Sequence, residues 1–378
     1  MSDLMYITDF LEKVNTGMLS EDEGYREGQL GKSILIYEYE MPDLAESDII
    51  IVGCPEYRGR QPGKYQANGP DNVRSHLYGM YYWHPEIRIA DIGNIKNGAT
   101  LSDTYAALKT VVGECLDAGK TVIIVGGSHD LTLAQYYAYS DRSNIIEAVC
   151  VDAQIDIDID SRKREDSFLM EMLTGEPNYI RQYNHIGFQS YYVHPHMLQT
   201  MDKLRFDCFR VGHVKDSIEE MEPVIRSSRL FSFDISAIAN SYAPANRFSP
   251  NGLNGEEACV LMRFAGMSSS VNSIGIYGYD DILDRDSLTA KQISQMIWYA
   301  IDGRSRGQRE APLDEKGSFN EYHLAFGEVQ TVFLQSKKTG RWWMQLPDRS
   351  FIPCSHKDYL LASSDEIPER WLRAQERG

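Results

Sequence analysis

Three short segments carry the residue types that could hold a cation, and each stands at the end of an apolar run. Gly126-Gly127-Ser128-His129 follows residues 121–125. Asp152-Ala153-Gln154-Ile155-Asp156 follows residues 146–151, and Ser232-Phe233-Asp234-Ile235-Ser236 follows residues 229–231. Carboxylates and an imidazole at the carboxyl ends of buried strands sit where an open α/β sheet gathers its chemistry. Taken singly, a histidine after two glycines reads as a turn residue, and an aspartate at a strand end reads as a helix cap. The alternating aspartates from Asp152 to Asp160 are not an EF-hand, which would need glycine where Ile157 stands and glutamate where Lys163 stands. Asp158 and Asp160 read as solvated loop carboxylates.

Such residues need a scaffold to bring them together. Eight apolar runs read as strands, at residues 48–52, 87–92, 121–125, 146–151, 184–188, 206–211, 229–233 and 273–277. Several are continuous rather than alternating, which suits strands covered on both faces. Helices are expected over residues 101–119, 131–139, 168–173, 217–225, 255–265 and 289–301. Strand and helix alternating at this spacing predict a three-layer α/β/α domain around a mainly parallel sheet. The sequence divides into an amino-terminal extension (1–47, with a weak strand at 34–37), a core (48–303) and a carboxyl-terminal α+β appendage (304–378). In the last, residues 323–326 and 329–335 read as paired strands, and a final helix is expected around Pro368, Trp371 and Arg373. Trp342 and Trp343 read as core or interface of the appendage. His194-Pro195-His196 reads as a surface loop.

The order and spacing of the three segments resemble the ureohydrolases (arginase, agmatinase and formimidoylglutamase), whose pattern is GG-x-H, D-x-H-x-D and S-x-D-x-D. Gly69-Pro70-Asp71-Asn72-Val73-Arg74, Asp91-Ile92-Gly93-Asn94 and Ser249-Pro250-Asn251-Gly252-Leu253 extend the resemblance over most of residues 48–302. It implies an eight-stranded arginase-like fold and a pair of Mn²⁺ ions, whose bridging hydroxide attacks the carbon of an amidine or guanidinium. By that resemblance, His129, Asp152, Asp156 and Asp234 would hold one ion. The second ion would need a histidine and an aspartate where Gln154 and Ser236 stand. The glutamate that accepts a substrate guanidinium aligns with Gly278; Asp280, Asp281 or Glu256 could stand in for it. No histidine lies between Asp158 and Met172 to act as a proton shuttle. The resemblance therefore implies one Mn²⁺ ion or none, and leaves two readings. One is an impaired or altered hydrolase of linear amidines or guanidines, nearest formimidoylglutamase, with metal-bound hydroxide as nucleophile and no certain catalytic side chain. The other is a catalytically inactive pseudoenzyme kept for binding or assembly. A homo-oligomer is expected on the same ground.

Bulk properties narrow the field. A formal charge of −17 argues against a nucleic-acid partner. The amino terminus, Met1-Ser2-Asp3-Leu4-Met5-Tyr6, lacks the pattern of a signal peptide, and no apolar run approaches membrane-spanning length. The six cysteines are scattered with no C-x-x-C pair, so neither a disulfide framework nor a thiolate zinc site is expected, and a cytoplasmic setting is.

Overall fold

Continuous apolar runs need cover on both faces, and the central sheet of the computed structural model provides it. Residues 4–18, 24–60, 68–315, 317–327 and 329–376 are described; Met1, Ser2, Asp3 and Lys316 lie outside them. The strands in chain order are β1 (Leu11–Glu12), β2 (Leu35–Ile36), β3 (Ile49–Cys54), β4 (Ile89–Ile95), β5 (Thr121–Gly126), β6 (Ile146–Val151), β7 (Ile180–Phe188), β8 (Asp207–Arg210), β9 (Leu230–Asp234) and β10 (Ser273–Tyr277). They form one sheet in the order β1-β4-β3-β5-β10-β9-β6-β7-β8, with β2 also on β4. The eight expected strands are all present, and two short strands from the amino-terminal stretch bring the sheet to ten. Every pairing in it is parallel except β1 with β4.

One face of the sheet packs on Gly69–Leu77, Gly255–Met267 and Leu288–Gly307, and the other on Leu101–Asp117, Leu131–Ser140 and Phe168–Thr174. The long helices start where their sequences dictate. Thr100 with Asp103, and Asn254 with Glu257, form reciprocal caps on the first turns. The result is the three-layer α/β/α arrangement.

The topology decides where the chemistry falls. After β5 the chain jumps across the sheet to β6, and β9 and β10 later fill the gap between them. A reversal of strand order of this kind opens a crevice at the carboxyl ends of the strands. Register aligns those ends: Ile276 pairs with Val125, Tyr277 with Asp234, and Val151 with Phe233. The residues after β5, β6, β9 and β10 therefore lie side by side.

The carboxyl-terminal strands make a separate antiparallel sheet of β11 (Phe319–Phe326), β12 (Val329–Ser336), β13 (Trp342–Gln345) and β14 (Phe351–Cys354), with helices His356–Ser363 and Glu369–Glu376. Trp342 is buried there, stacked on Tyr359 at 4.7 Å. The loop expected at His194-Pro195-His196 is instead the start of a helix, Pro195–Lys203. Proline occupies its first turn, and the His194 ring accepts from the His196 N–H. Among the described residues no helix is long and apolar enough to cross a membrane. All six cysteines are free.

Candidate metal centre

The loop after β5 passes so close to Glu56 that a methyl on Gly127 would lie 2.0 Å from the Glu56 carbonyl oxygen. Glycine is required there by space. The tight passage delivers His129 to the sheet end, 3 % exposed and edge-on to Phe168 at 4.9 Å. Its Nε2 lies 3.0 Å from Ser232 Oγ, which is itself 2.6 Å from Thr132 Oγ1. A hydrogen bond donated from Nε2 to Ser232 leaves the Nδ1 lone pair as the ligand atom. Ser232 is the first residue of the third segment, so its hydroxyl belongs to the motif for this positional reason.

Three carboxylates face Nδ1. Asp156 Oδ2 lies at 2.8 Å, Asp152 Oδ2 at 3.0 Å and Asp234 Oδ2 at 3.9 Å. His129, Asp152 and Asp156 form a tight buried group, and Asp234 flanks it. The opposite oxygens are already engaged. Asp152 Oδ1 accepts from the Gln154 N–H at 3.1 Å and from the Ser236 hydroxyl, and Asp234 Oδ1 accepts from the Ser236 N–H at 2.7 Å. The cluster thus has a side facing imidazole and a side closed by protein donors.

Electrostatics shows how crowded it is. Burial and the Asp152 charge raise Asp156 well above the usual carboxylate range, and the same two causes raise Asp234. Asp152 resists its own burial and is held down to about 2 by the hydrogen bond and charge of His129. Burial opposes the His129 charge as well, but Cys150, Asp152 and Asp156 outweigh it and raise the imidazole well above its ordinary value. Without a cation the cluster retains protons it would otherwise release. A nitrogen and several hard oxygens converging on one point, with excess negative charge, fit a divalent ion of the Mn²⁺ type.

Other sequence expectations are placed as follows. Gln154 and Ser236 lie beside the cluster, on its closed side. Gly278 has φ +81°, and a methyl there would lie 2.5 Å from Asp234 Oδ2, so the turn as built accepts no side chain. Of the three carboxylates considered as substitutes, Glu256 bonds the Tyr299 hydroxyl, Asp281 accepts the Asn68 N–H, and Asp280, buried after the same turn, accepts the Ile282 N–H. Asp158 and Asp160 are exposed.

Three neighbours escaped the sequence reading. Arg60 donates from Nε to Glu165 Oε2 at 2.7 Å and from Nη1 to the Gly278 carbonyl at 3.1 Å. His185 on β7 approaches the Asp152 carbonyl at 3.1 Å and is kept neutral by burial, its pKa pushed down to about 4. Only His185 had a local signal: it is a buried polar residue, beside Asn184, in a strand that ends in the apolar Ile186 and Phe188.

Residues 47–302 match the model of the Arginase family, more than half of the chain. The formimidoylglutamase of Hahella chejuensis is 32% identical over 101 residues, 25% of this chain and 31% of that protein. The matched stretch thus spans about a third of that curated relative. Among solved structures, Trypanosoma cruzi formiminoglutamase with Mn²⁺ superposes with a TM-score of 0.63 at 18% identity, over 71% of this chain and 96% of that one. Formimidoylglutamase of Bacillus subtilis gives 0.64 at 15%, over 79% and 98%. These likenesses carry the fold, and the family match carries membership: the chain belongs to the arginase family.

Proposed function

We propose that this protein holds a single Mn²⁺ ion at His129, Asp152, Asp156 and Asp234, and hydrolyses a C–N bond of a linear amidine or guanidine in the manner of a formimidoylglutamase, at altered efficiency. The carrying observation is the convergence of three Oδ2 atoms within 3.9 Å of His129 Nδ1 while the Oδ1 atoms of Asp152 and Asp234 are taken up by Ser236 and Gln154. A bound divalent ion supplies Lewis acidity and makes water acidic enough to act near neutral pH. The chain's own part is to orient His129 through Ser232, to gather carboxylates that resist one another's ionisation until a cation arrives, and to crowd the site with buried side chains. Self-association and a cytoplasmic setting belong to the same reading.

A second reading has its own support. Arg60 occupies the Gly278 carbonyl beside Asp234, and a guanidinium fixed there favours a binding protein without turnover. Elemental mass spectrometry on protein purified with manganese tests the first reading. One ion per chain, lost in Asp234→Ala, together with amidine hydrolysis supports it. An ion without hydrolysis favours the second reading, and protein without an ion overturns the first.

A further inference from the structure

Strand β7 buries two polar side chains that take no part in the ligand set, Tyr183 and His185, two residues apart and so on one face. The ladder between β6 and β7 gives them a reason. The Asp152 N–H donates to the Ile186 carbonyl at 3.0 Å, and further on the Gln189 N–H donates to the Ala153 carbonyl at 2.9 Å. In an even parallel ladder the Phe188 N–H would be due at the Asp152 carbonyl. β7 is irregular at that place, with Gly187 at φ +95°, and a side chain meets the carbonyl instead: His185 Nε2, at 3.1 Å. A carbonyl oxygen only accepts, so Nε2 carries the hydrogen. The other nitrogen of the neutral ring then offers its lone pair, and the Tyr183 hydroxyl donates to it at 2.9 Å. The Cys150 thiol is that hydroxyl's other polar neighbour.

The consequence falls on the Asp152 carboxylate. Its main chain is held at the carbonyl by His185, and Oδ1 is held by the Gln154 N–H and the Ser236 hydroxyl. An aspartate has two side-chain torsions, and with both ends of them fixed the remaining oxygen has one direction to point. That oxygen, Oδ2, stands 3.0 Å from His129 Nδ1. Resting on the single-ion reading above, we infer that His185, its tautomer set by Tyr183, is a positioning residue of this site: it fixes the Asp152 backbone so that Oδ2 is aimed at the ion.

Calorimetric titration with Mn²⁺ tests this directly. His185→Leu is expected to weaken binding about 10-fold or more. His185→Gln, whose amide both donates and accepts, is expected to bind as wild type, and Tyr183→Phe to fall between the two. Arg226→Met is destabilised far from the site and is expected to bind as wild type, which separates lost position from lost stability. A Leu variant that binds as tightly as the Gln variant, or an Arg226→Met loss as large as the Leu one, overturns the inference. If His185→Leu does not fold, Tyr183→Phe keeps the packing and takes its place, and wild-type affinity there overturns the inference.

A second measurement needs no metal and separates this inference from the single-ion reading. In chelator-treated protein, Asp152→Asn is expected to lower the melting temperature less in a Tyr183→Phe or His185→Leu background than in a His185→Gln one, because the contact with His129 is already loosened. Equal drops overturn the inference even if manganese binds normally. A wild type that binds no manganese, but shows the unequal drops, overturns the single-ion reading and leaves His185 as the clamp on Asp152.

Discussion

Two places in this molecule bury several charges, and they solve the problem in opposite ways. Between the core and the carboxyl-terminal sheet, Arg226 and Arg341 meet Glu222 and Glu310. Arg226 Nε lies 3.2 Å from Glu222 Oε1, and Arg341 Nε lies 3.0 Å from Glu310 Oε2. Arg226 also donates to the Trp342 carbonyl at 2.8 Å and lies 4.2 Å over the Trp343 ring, and Arg341 donates to the Met267 carbonyl at 3.1 Å. Burial pushes Arg226 down to about 10, still charged at neutral pH. Two cations face two anions there, and Arg226 Nη2 and Arg341 Nη1 reach carbonyls across the junction. That arrangement is a fastener. At the strand ends, carboxylates outnumber permanent cations, and the excess is turned towards one imidazole nitrogen. That arrangement is a socket. Balance marks a structural cluster, and imbalance marks one that expects a visitor.

The comparison breaks most visibly at the fastener. Arg226→Met leaves buried Glu222 with only the longer Arg341 Nη1 contact at 3.7 Å and is expected to cost about 3 kcal/mol, read by urea unfolding of the full chain. A loss below about 1 kcal/mol would place this cluster with ordinary surface pairs. Next comes manganese itself. At a hundredfold excess over its dissociation constant it is expected to stabilise wild type by about 2.7 kcal/mol, and Asp156→Ala is expected to lose that gain. Equal stabilisation of both proteins would show that manganese binds elsewhere.

The pH dependence of the metal-free protein is a smaller effect with a definite sign. His129, Asp156 and Asp234 all have raised values, so the folded state binds more protons than the unfolded one. The His129 contribution is whole below its unfolded value near 6.5 and is lost as pH climbs through the raised folded value. The two aspartates add a decline that begins above about 3.8. Asp152, held at about 2, acts oppositely: its contribution is present above about 3.8 and lost as pH falls towards 2. Stability without metal should therefore fall by about 1 kcal/mol or more between pH 5 and 8, while manganese affinity rises over the same span as protons are displaced. A flat thermal-denaturation profile across that range would refute the excess-charge description. The smallest expected effect is at Asp160→Asn, an exposed loop position, within about 0.5 kcal/mol and with manganese binding unchanged.

What the sequence revealed follows from range. His129, Asp152 and Asp156 each sit within a few residues of an apolar run, and parallel registration of β5, β6 and β9 does the rest. Arg60 could not be read this way, because its partners Glu165 and Gly278 lie 105 and 218 residues away in the chain. Ser236 was named from the sequence by resemblance alone, and its donation to two carboxylates, by hydroxyl to Asp152 and by N–H to Asp234, was not legible, since it is a tertiary fact. Other misses were local and avoidable. Ser355 and Asp358 form a reciprocal cap on His356–Ser363, a signal carried in four consecutive residues. Pro195, expected in a surface loop, instead stands in the first turn of a helix, where its missing N–H costs nothing.

The turn at Gly278 also bears on how this protein can change over time. With φ at +81° and Asp234 Oδ2 2.5 Å from where a first side-chain atom would stand, the position rejects every other amino acid while the present backbone persists. A glutamate placed there would meet both the positive φ and the Asp234 carboxylate. The turn would have to relax, and the Arg60 contact with the Gly278 carbonyl would move with it. A single substitution at this position therefore carries a change of backbone along with the change of side chain.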